Sequence, residues 1–387
     1  MSIWYIIKLV FLLIYFTLSA IITFIIHKEE KTFSKPLYVS KKPETENELE
    51  EKVNIHDEFD VFTKRDKPTN IILLFLGVLL FMWIRFILYI ICGSLISFTI
   101  NRNSKKKNNN LSKEDIDYNI NKTKFFTNIF LKLSCIFIDK QRLPDDVVLP
   151  VYKKYFGPNY QIDYDSKFGC YISNHTCLYD LLCSMAFYGT GFVAKEAIKK
   201  VPVFGPMATA LQSIFVNRNN DKSKSNVLEQ ITKRENDYFK GEPVMPFMIF
   251  PEGTTTSGRH ILKFKRGAFW PLLPVKATII LPNLSKNNHL GVGSSDVGIN
   301  FLKSLTKLYN TAQYFELPIM KPNDYMYQNY SSYGKDKWEI YAEVVREIMC
   351  TLGHFQKSSM SLTDSYRYCS CIEQKCLLDR KGYKVPT

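Results

Sequence analysis

Three short stretches of this sequence hold residue types that can do chemistry. The first is Asn174-His175-Thr176-Cys177-Leu178-Tyr179-Asp180. A histidine at a strand end can project into a cleft. If the chain then turns into a helix, the Asp180 carboxylate returns within reach of the imidazole. There it would fix the tautomer, stabilise the imidazolium and leave the second ring nitrogen as a general base. A loop histidine beside a helix N-terminal aspartate gives the same pattern with no chemistry. The second stretch is Ile249-Phe250-Pro251-Glu252-Gly253-Thr254-Thr255-Thr256-Ser257-Gly258. Glycine lets main-chain amides approach a ligand, and the hydroxyl run supplies short donors. A plain strand-to-loop turn uses the same residues. Phe264-Lys265-x-Gly267-Ala268-Phe269 follows, a basic residue beside small and aromatic positions. The third stretch, Ile214-Phe215-Val216-Asn217-Arg218, ends a strand on a guanidinium, a planar fork suited to phosphate. Alone, such an arginine is more often a surface charge.

These stretches need a frame that brings strand ends together. Short apolar runs predict strands at Phe168–Ser173, Ser213–Val216, Val244–Phe250 and Thr278–Leu281, and helical spacing predicts helices near Leu178–Tyr188, Ser225–Phe239 and Trp338–Leu352. Alternating strands and helices give an α/β fold, a mixed, mostly parallel sheet with covering helices. Upstream, Phe126, Ile129, Phe130, Leu133, Ile136 and Phe137 recur at helical spacing over residues 123–138. That fits an interfacial helix or a core helix alike.

The order and spacing of the three stretches resemble the glycerophosphate and lysophospholipid acyltransferase family, over roughly residues 165–285. Phe250–Gly258 with Phe264–Phe269 looks most like its lysophosphatidylcholine/lysophosphatidylethanolamine branch, and Ala194-Lys195-x6-Pro202 with Gly205 looks like its connecting segment. The resemblance implies a glycerolphosphate-acyltransferase-like fold with His175 and Asp180 as catalytic residues. It also implies Arg218, Glu252, Gly253 and Thr254 as substrate-binding residues, with Arg218 on the acceptor phosphate. It implies acyl transfer from acyl-CoA to a lysophospholipid hydroxyl by direct attack, with no cofactor beyond acyl-CoA as co-substrate and no metal. Lysophosphatidic acid or glycerol-3-phosphate as acceptor is the alternative. A non-catalytic membrane tether with a degenerate fold is the alternative of another class, and the intact His175, Asp180, Arg218 and Glu252 speak against it. The sequence departs from the pattern at Gln212, where the family often has glycine. A second departure is Leu273-Pro274-Val275-Lys276-Ala277-Thr278, which lacks a second proline. Gly253-x4-Gly258-Arg259-His260 is a near miss of a phosphate-binding loop, without its lysine and hydroxyl residue.

Composition sets the surroundings. The 387 residues are 46% apolar and carry a formal charge of +14, too apolar for a disordered chain and suited to an anionic partner. The apolar runs favour a membrane over nucleic acid. Residues 3–26 have spanning length with Lys8 as their sole charge, and residues 71–100 form a second run broken by Arg85. The second run fits one tilted span or a hairpin with Arg85 near the headgroups. The expected organisation is a transmembrane anchor at 1–27 and a polar charged linker at 28–69. Residues 70–140 then hold a membrane-embedded helix or hairpin and an interfacial helix, 141–355 an acyltransferase domain, and 356–387 a tail. Arg102 and Lys105–Lys107 place the catalytic domain in the cytosol by the positive-inside rule, with the endoplasmic reticulum as the expected membrane. Nine cysteines without a regular framework fit a reducing compartment, and Cys369, Cys371 and Cys376 read as tail thiols. Oligomeric state is not legible.

Overall fold

The computed structural model describes residues 3–34, 38–41, 51–54, 61, 69–106, 111–216, 221–282 and 297–372. Arg218 and Cys376 lie outside the described residues, as do the side chains of Cys369 and Cys371. Strands are numbered in chain order. They are β1 (Tyr38–Lys41), β2 (Glu51–Asn54), β3 (Ile136–Arg142), β4 (Cys170–Ser173), β5 (Gly191–Lys195), β6 (Ile214–Val216), β7 (Phe247–Ile249), β8 (His260–Ile261), β9 (Val275–Pro282), β10 (Asn310–Met320) and β11 (Gln356–Lys357).

Seven strands form one sheet in the order β3-β10-β9-β4-β7-β5-β6. β9, β4, β7, β5 and β6 run parallel to one another, while β10 pairs antiparallel with β9 and carries β3 parallel to itself. The sheet is therefore mixed and mostly parallel, and helices cover both faces. Alternating strand side chains feed two apolar clusters. Ile214 joins one and Phe215 the other, as do Val193 and Phe192. One cluster packs beneath helices Asp145–Phe156 and Lys337–Gly353, through Tyr152, Tyr341 and Val345. The other packs beneath helices Lys113–Leu133, Tyr179–Tyr188 and Phe204–Ala210.

The stretch 123–138 is not one helix. The helix runs Lys113–Leu133, Cys135 adopts a left-handed φ of 53°, and Ile136 and Phe137 begin β3. A helical apolar stripe thus carried on into an edge strand that happened to keep its phase. The sheet consequently starts before residue 141, and β11 pairs with β8 beyond residue 355.

Two helices, over Ile7–Lys31 and Ile71–Lys105, are long and apolar enough to cross a membrane. The second is continuous through a π-helical turn at Val78–Met82. The two pack antiparallel: Trp83 donates to Ser19 Oγ at 2.9 Å, and Thr69 donates from N and Oγ1 to Glu30, at 2.8 Å each. The second helix also lies along the α/β domain. At Gly77 an added Cβ would meet the Thr306 carbonyl at 2.4 Å, so glycine is required for that approach. Farther along, Tyr89 packs edge-on or tilted against Phe130, Phe204 and Phe301, and Asn103 reaches Asn119 at 3.1 Å. Arg85 is 5% exposed, and its guanidinium donates to the carbonyls of Leu305 (3.1 Å), Lys307 and Leu308 (2.8 Å). It is therefore tucked against protein.

Candidate active site

β4 ends at Ser173, and the next two residues fix the edge of the site. Asn174 donates to the Ile280 carbonyl (2.9 Å) and accepts from the Ile280 amide (2.8 Å), which locks this chain to β9. His175 follows, with its main-chain carbonyl held by the Thr256 amide at 2.9 Å and its ring stacked 4.2 Å from Phe250. The chain then turns into helix Tyr179–Tyr188, which places Asp180 in its first turn.

His175 Nδ1 lies 2.9 Å from Asp180 Oδ2. The Asp180 side chain is wholly buried, whereas that of His175 is 19% exposed. Asp180 also accepts from the Thr176 amide, the Cys177 amide (2.9 Å) and Thr176 Oγ1 (3.1 Å). A buried carboxylate costs several kcal/mol unless donors surround it. Here amides at a helix start and the imidazole supply them. With Nδ1–H donated to Asp180, Nε2 carries the lone pair.

Glu252 comes from the end of β7, the neighbour of β4. It is 1% exposed, and both oxygens are taken: Oε1 by the His175 amide and Oε2 by the Leu262 amide, each at 2.9 Å. Burial pushes its carboxyl up to about 8, against the pull of those amides and of the Arg346 charge. The geometry makes Glu252 a clamp that joins the histidine loop to the following hairpin. Gly253 takes a φ of +74°, which favours glycine at this turn. Thr254 is half-buried at the turn.

Because β4, β7, β5 and β6 are parallel neighbours, His175, Glu252, Lys195 and Val216 stand along one carboxyl edge of the sheet. Ligands of open α/β sheets bind at that edge. The register sets Lys195 opposite Val216, two residues before Arg218. Lys195 and Lys199 are exposed, and Lys199 lies over the Phe215 ring at 4.8 Å. Thus the structure brings His175, Asp180, Glu252, Gly253 and Thr254 together, and Arg218 lies outside the described residues. Sequence reasoning assigned no part to Asn174 or Phe250, whose partners are far along the chain. Lys195 was noted only as part of the connecting segment, and the strand that it ends was not predicted.

His175 and the buried Asp180 thus form a dyad at a strand-to-helix turn, held by the glutamate that follows the next strand. The family model described as Acyltransferase matches residues 164–282. The lysophospholipid acyltransferase LPEAT1 of Arabidopsis thaliana is 30% identical over 207 residues, 52% of this chain and 48% of its own length. Lysophosphatidylcholine acyltransferase 1 of Homo sapiens is 27% identical over 158 residues, 40% of this chain and 29% of its own. The chain thus spans less than half the length of these curated relatives. A solved structure, the 1-acyl-sn-glycerophosphate acyltransferase of Thermotoga maritima, aligns over 70% of this chain and 97% of its own. Its TM-score is 0.42 and its identity 15%.

Proposed function

We propose that this protein transfers a fatty acyl group from acyl-CoA to the free glycerol hydroxyl of a lysophospholipid of the choline or ethanolamine type. The observation that carries the reading is the 2.9 Å contact between His175 Nδ1 and a fully buried Asp180 at the carboxyl edge of the sheet. Nε2 accepts the acceptor hydroxyl's proton as its oxygen attacks the thioester carbonyl carbon. The tetrahedral adduct collapses with loss of the CoA thiolate, which takes the proton back from the imidazolium. Asp180 holds the charged ring between these steps. A positioned base of this kind contributes about 10²–10⁴-fold. Arg218, with Lys195 beside the same strand end, holds the acceptor's phosphate. Thr254 and Gly253 shape the mouth.

The apolar helices bring this site to its lipid. The α/β domain touches the second helix from Gly77 to Asn103, a rise of about 40 Å at 1.5 Å per residue, which exceeds the ~30 Å hydrocarbon core. Val61, from the segment between the two helices, accepts from the Ser257 amide at 2.7 Å, beside the dyad loop. Both ends of the second helix therefore meet the same domain. That favours a hairpin laid along the cytosolic face of the endoplasmic reticulum over two crossings, with Phe11, Leu13, Ile72, Ile84 and Phe98 facing lipid. A transfer assay on purified membranes with radiolabelled acyl-CoA tests the function. Lysophosphatidylcholine and lysophosphatidylethanolamine should be acylated in preference to lysophosphatidic acid and glycerol-3-phosphate. The reverse order overturns the headgroup assignment, and no transfer to any acceptor overturns the function.

A further inference from the structure

Arg85 interrupts a helix that is otherwise apolar, a costly place for a guanidinium unless it does something there. Its three acceptors, Leu305, Lys307 and Leu308, are the last carbonyls of helix Val297–Thr306 and of the turn after it, where a cation complements the helix dipole. The same turn carries Ser304, which is 4% exposed. Ser304 Oγ donates to the Phe301 carbonyl, so in its 2.5 Å contact with Tyr179 the phenol is the donor. Asn310 Nδ2 closes the turn by donating to the Ser304 carbonyl at 2.9 Å. Tyr179 is buried and immediately precedes Asp180. Hydrogen bonds at two adjacent residues, Leu305 and Ser304, therefore tie the apolar helix on one side and the residue beside Asp180 on the other to the same end of helix Val297–Thr306.

We infer that Arg85 is a positioning residue, which fixes the dyad helix at a set height against the apolar hairpin by way of Ser304 and Tyr179. This rests on the acyltransferase reading and on the hairpin lying in the membrane surface. A lysophospholipid keeps its tail in the leaflet, so its hydroxyl comes to the protein at one depth. An acceptor dissolved in water approaches without that constraint. A guanidinium that merely stabilised the fold would, when removed, weaken transfer to both kinds of acceptor alike.

The full-length protein is reconstituted and each variant is measured twice. Acceptors are long-chain lysophosphatidylcholine in phosphatidylcholine vesicles and a short-chain lysophosphatidylcholine dissolved as monomer. Arg85→Gln should cut turnover on the vesicle acceptor about tenfold and on the soluble one less than about threefold, as displacement of a positioned group does. Arg85→Lys should recover part, because one ammonium lacks the fork that reaches several carbonyls. Ser304→Ala, a milder change at the middle of the link, should reproduce the pattern if Arg85→Gln fails to fold. Hydrogen–deuterium exchange across residues 176–188 reads the link without activity, and should quicken in both variants. Unchanged exchange there, or equal losses on both acceptors, overturns the inference. If the unaltered protein acylates neither acceptor, the acyltransferase reading falls while exchange still decides the link.

Discussion

The two ends of strand β4 each stand beside a fully buried carboxylate, and they treat it in opposite ways. At the carboxyl end Asp180 is met by two amides, a hydroxyl and the His175 ring. At the amino end Glu235, from helix Asp221–Lys240, lies against Gly169 and Cys170. No N–H or O–H among the described residues donates to it. Burial pushes its carboxyl up to about 8, with the Cys170 thiol as its polar neighbour. Depth in the protein thus does not by itself set how a carboxylate is accommodated. Donors make the difference: Asp180 has its charge provided for, while Glu235 is most cheaply kept as a neutral acid.

The largest test of that contrast is at the dyad. His175→Ala should lower transfer about 10³-fold in the radiolabel assay with no change in melting temperature. Asp180→Asn should lower transfer comparably and also cost about 1–3 kcal/mol of stability, because the imidazole and the Thr176 and Cys177 amides, all bonded to Oδ2, would lose a charged acceptor. An Asp180→Asn protein that melts normally would show that the surrounding amides do not need the charge.

Glu252 falls between the two extremes, buried like both but with two donors. Glu252→Gln leaves one of the His175 and Leu262 amides without an acceptor. We expect about 10–100-fold slower turnover with little change in acceptor KM, since the clamp positions the base without touching a ligand. A selective rise in KM would instead put Glu252 on the acceptor.

The smallest effect is in pH. Glu235 has an ordinary value near 4.5 and a folded value of about 8. Its protonated form is favoured by folding, so its contribution is complete below pH 4.5 and is lost as pH rises through 8. The slope is at most about 1.4 kcal/mol per pH unit for one proton. Glu235→Gln should flatten the stability profile between pH 5 and 8 and leave transfer unchanged. Chemical denaturation at several pH values reads it, and an unaltered slope would mean that Glu235 is ionised in the fold. Glu252 bends the profile in the same direction, so the slope should shrink without vanishing.

The dyad was legible in the sequence because its parts are five residues apart and one turn of chain joins them. β4, β6, β7 and β9 were legible as apolar runs. β10 was not, because its inward residues alternate polar with apolar. Asn310, Tyr314 and Glu316 are buried there, and Glu316 is held by Lys276 at 2.6 Å and Lys140 at 3.3 Å. The clamp by Glu252 was illegible for a different reason, since the His175 amide lies 77 residues away. Gln212 gave no sign of its backbone either. Its φ of +55° explains why glycine suits the position, while its side chain accepts from the Met245 amide at 3.3 Å. Sequence pattern reveals local geometry and apolar faces, whereas polar contacts between distant segments emerge only once the sheet has formed.

The Arg85 contact also has a history in time. The arginine is synthesised 220 residues before the first of its carbonyl partners. At roughly 5–20 residues per second that interval is about 10–40 s. Through it the apolar hairpin is complete while the backbone that will receive its guanidinium has yet to leave the ribosome. Docking of the hairpin onto the domain is therefore a late event, and the nascent chain must carry a charged, apolar-flanked helix until its acceptors exist.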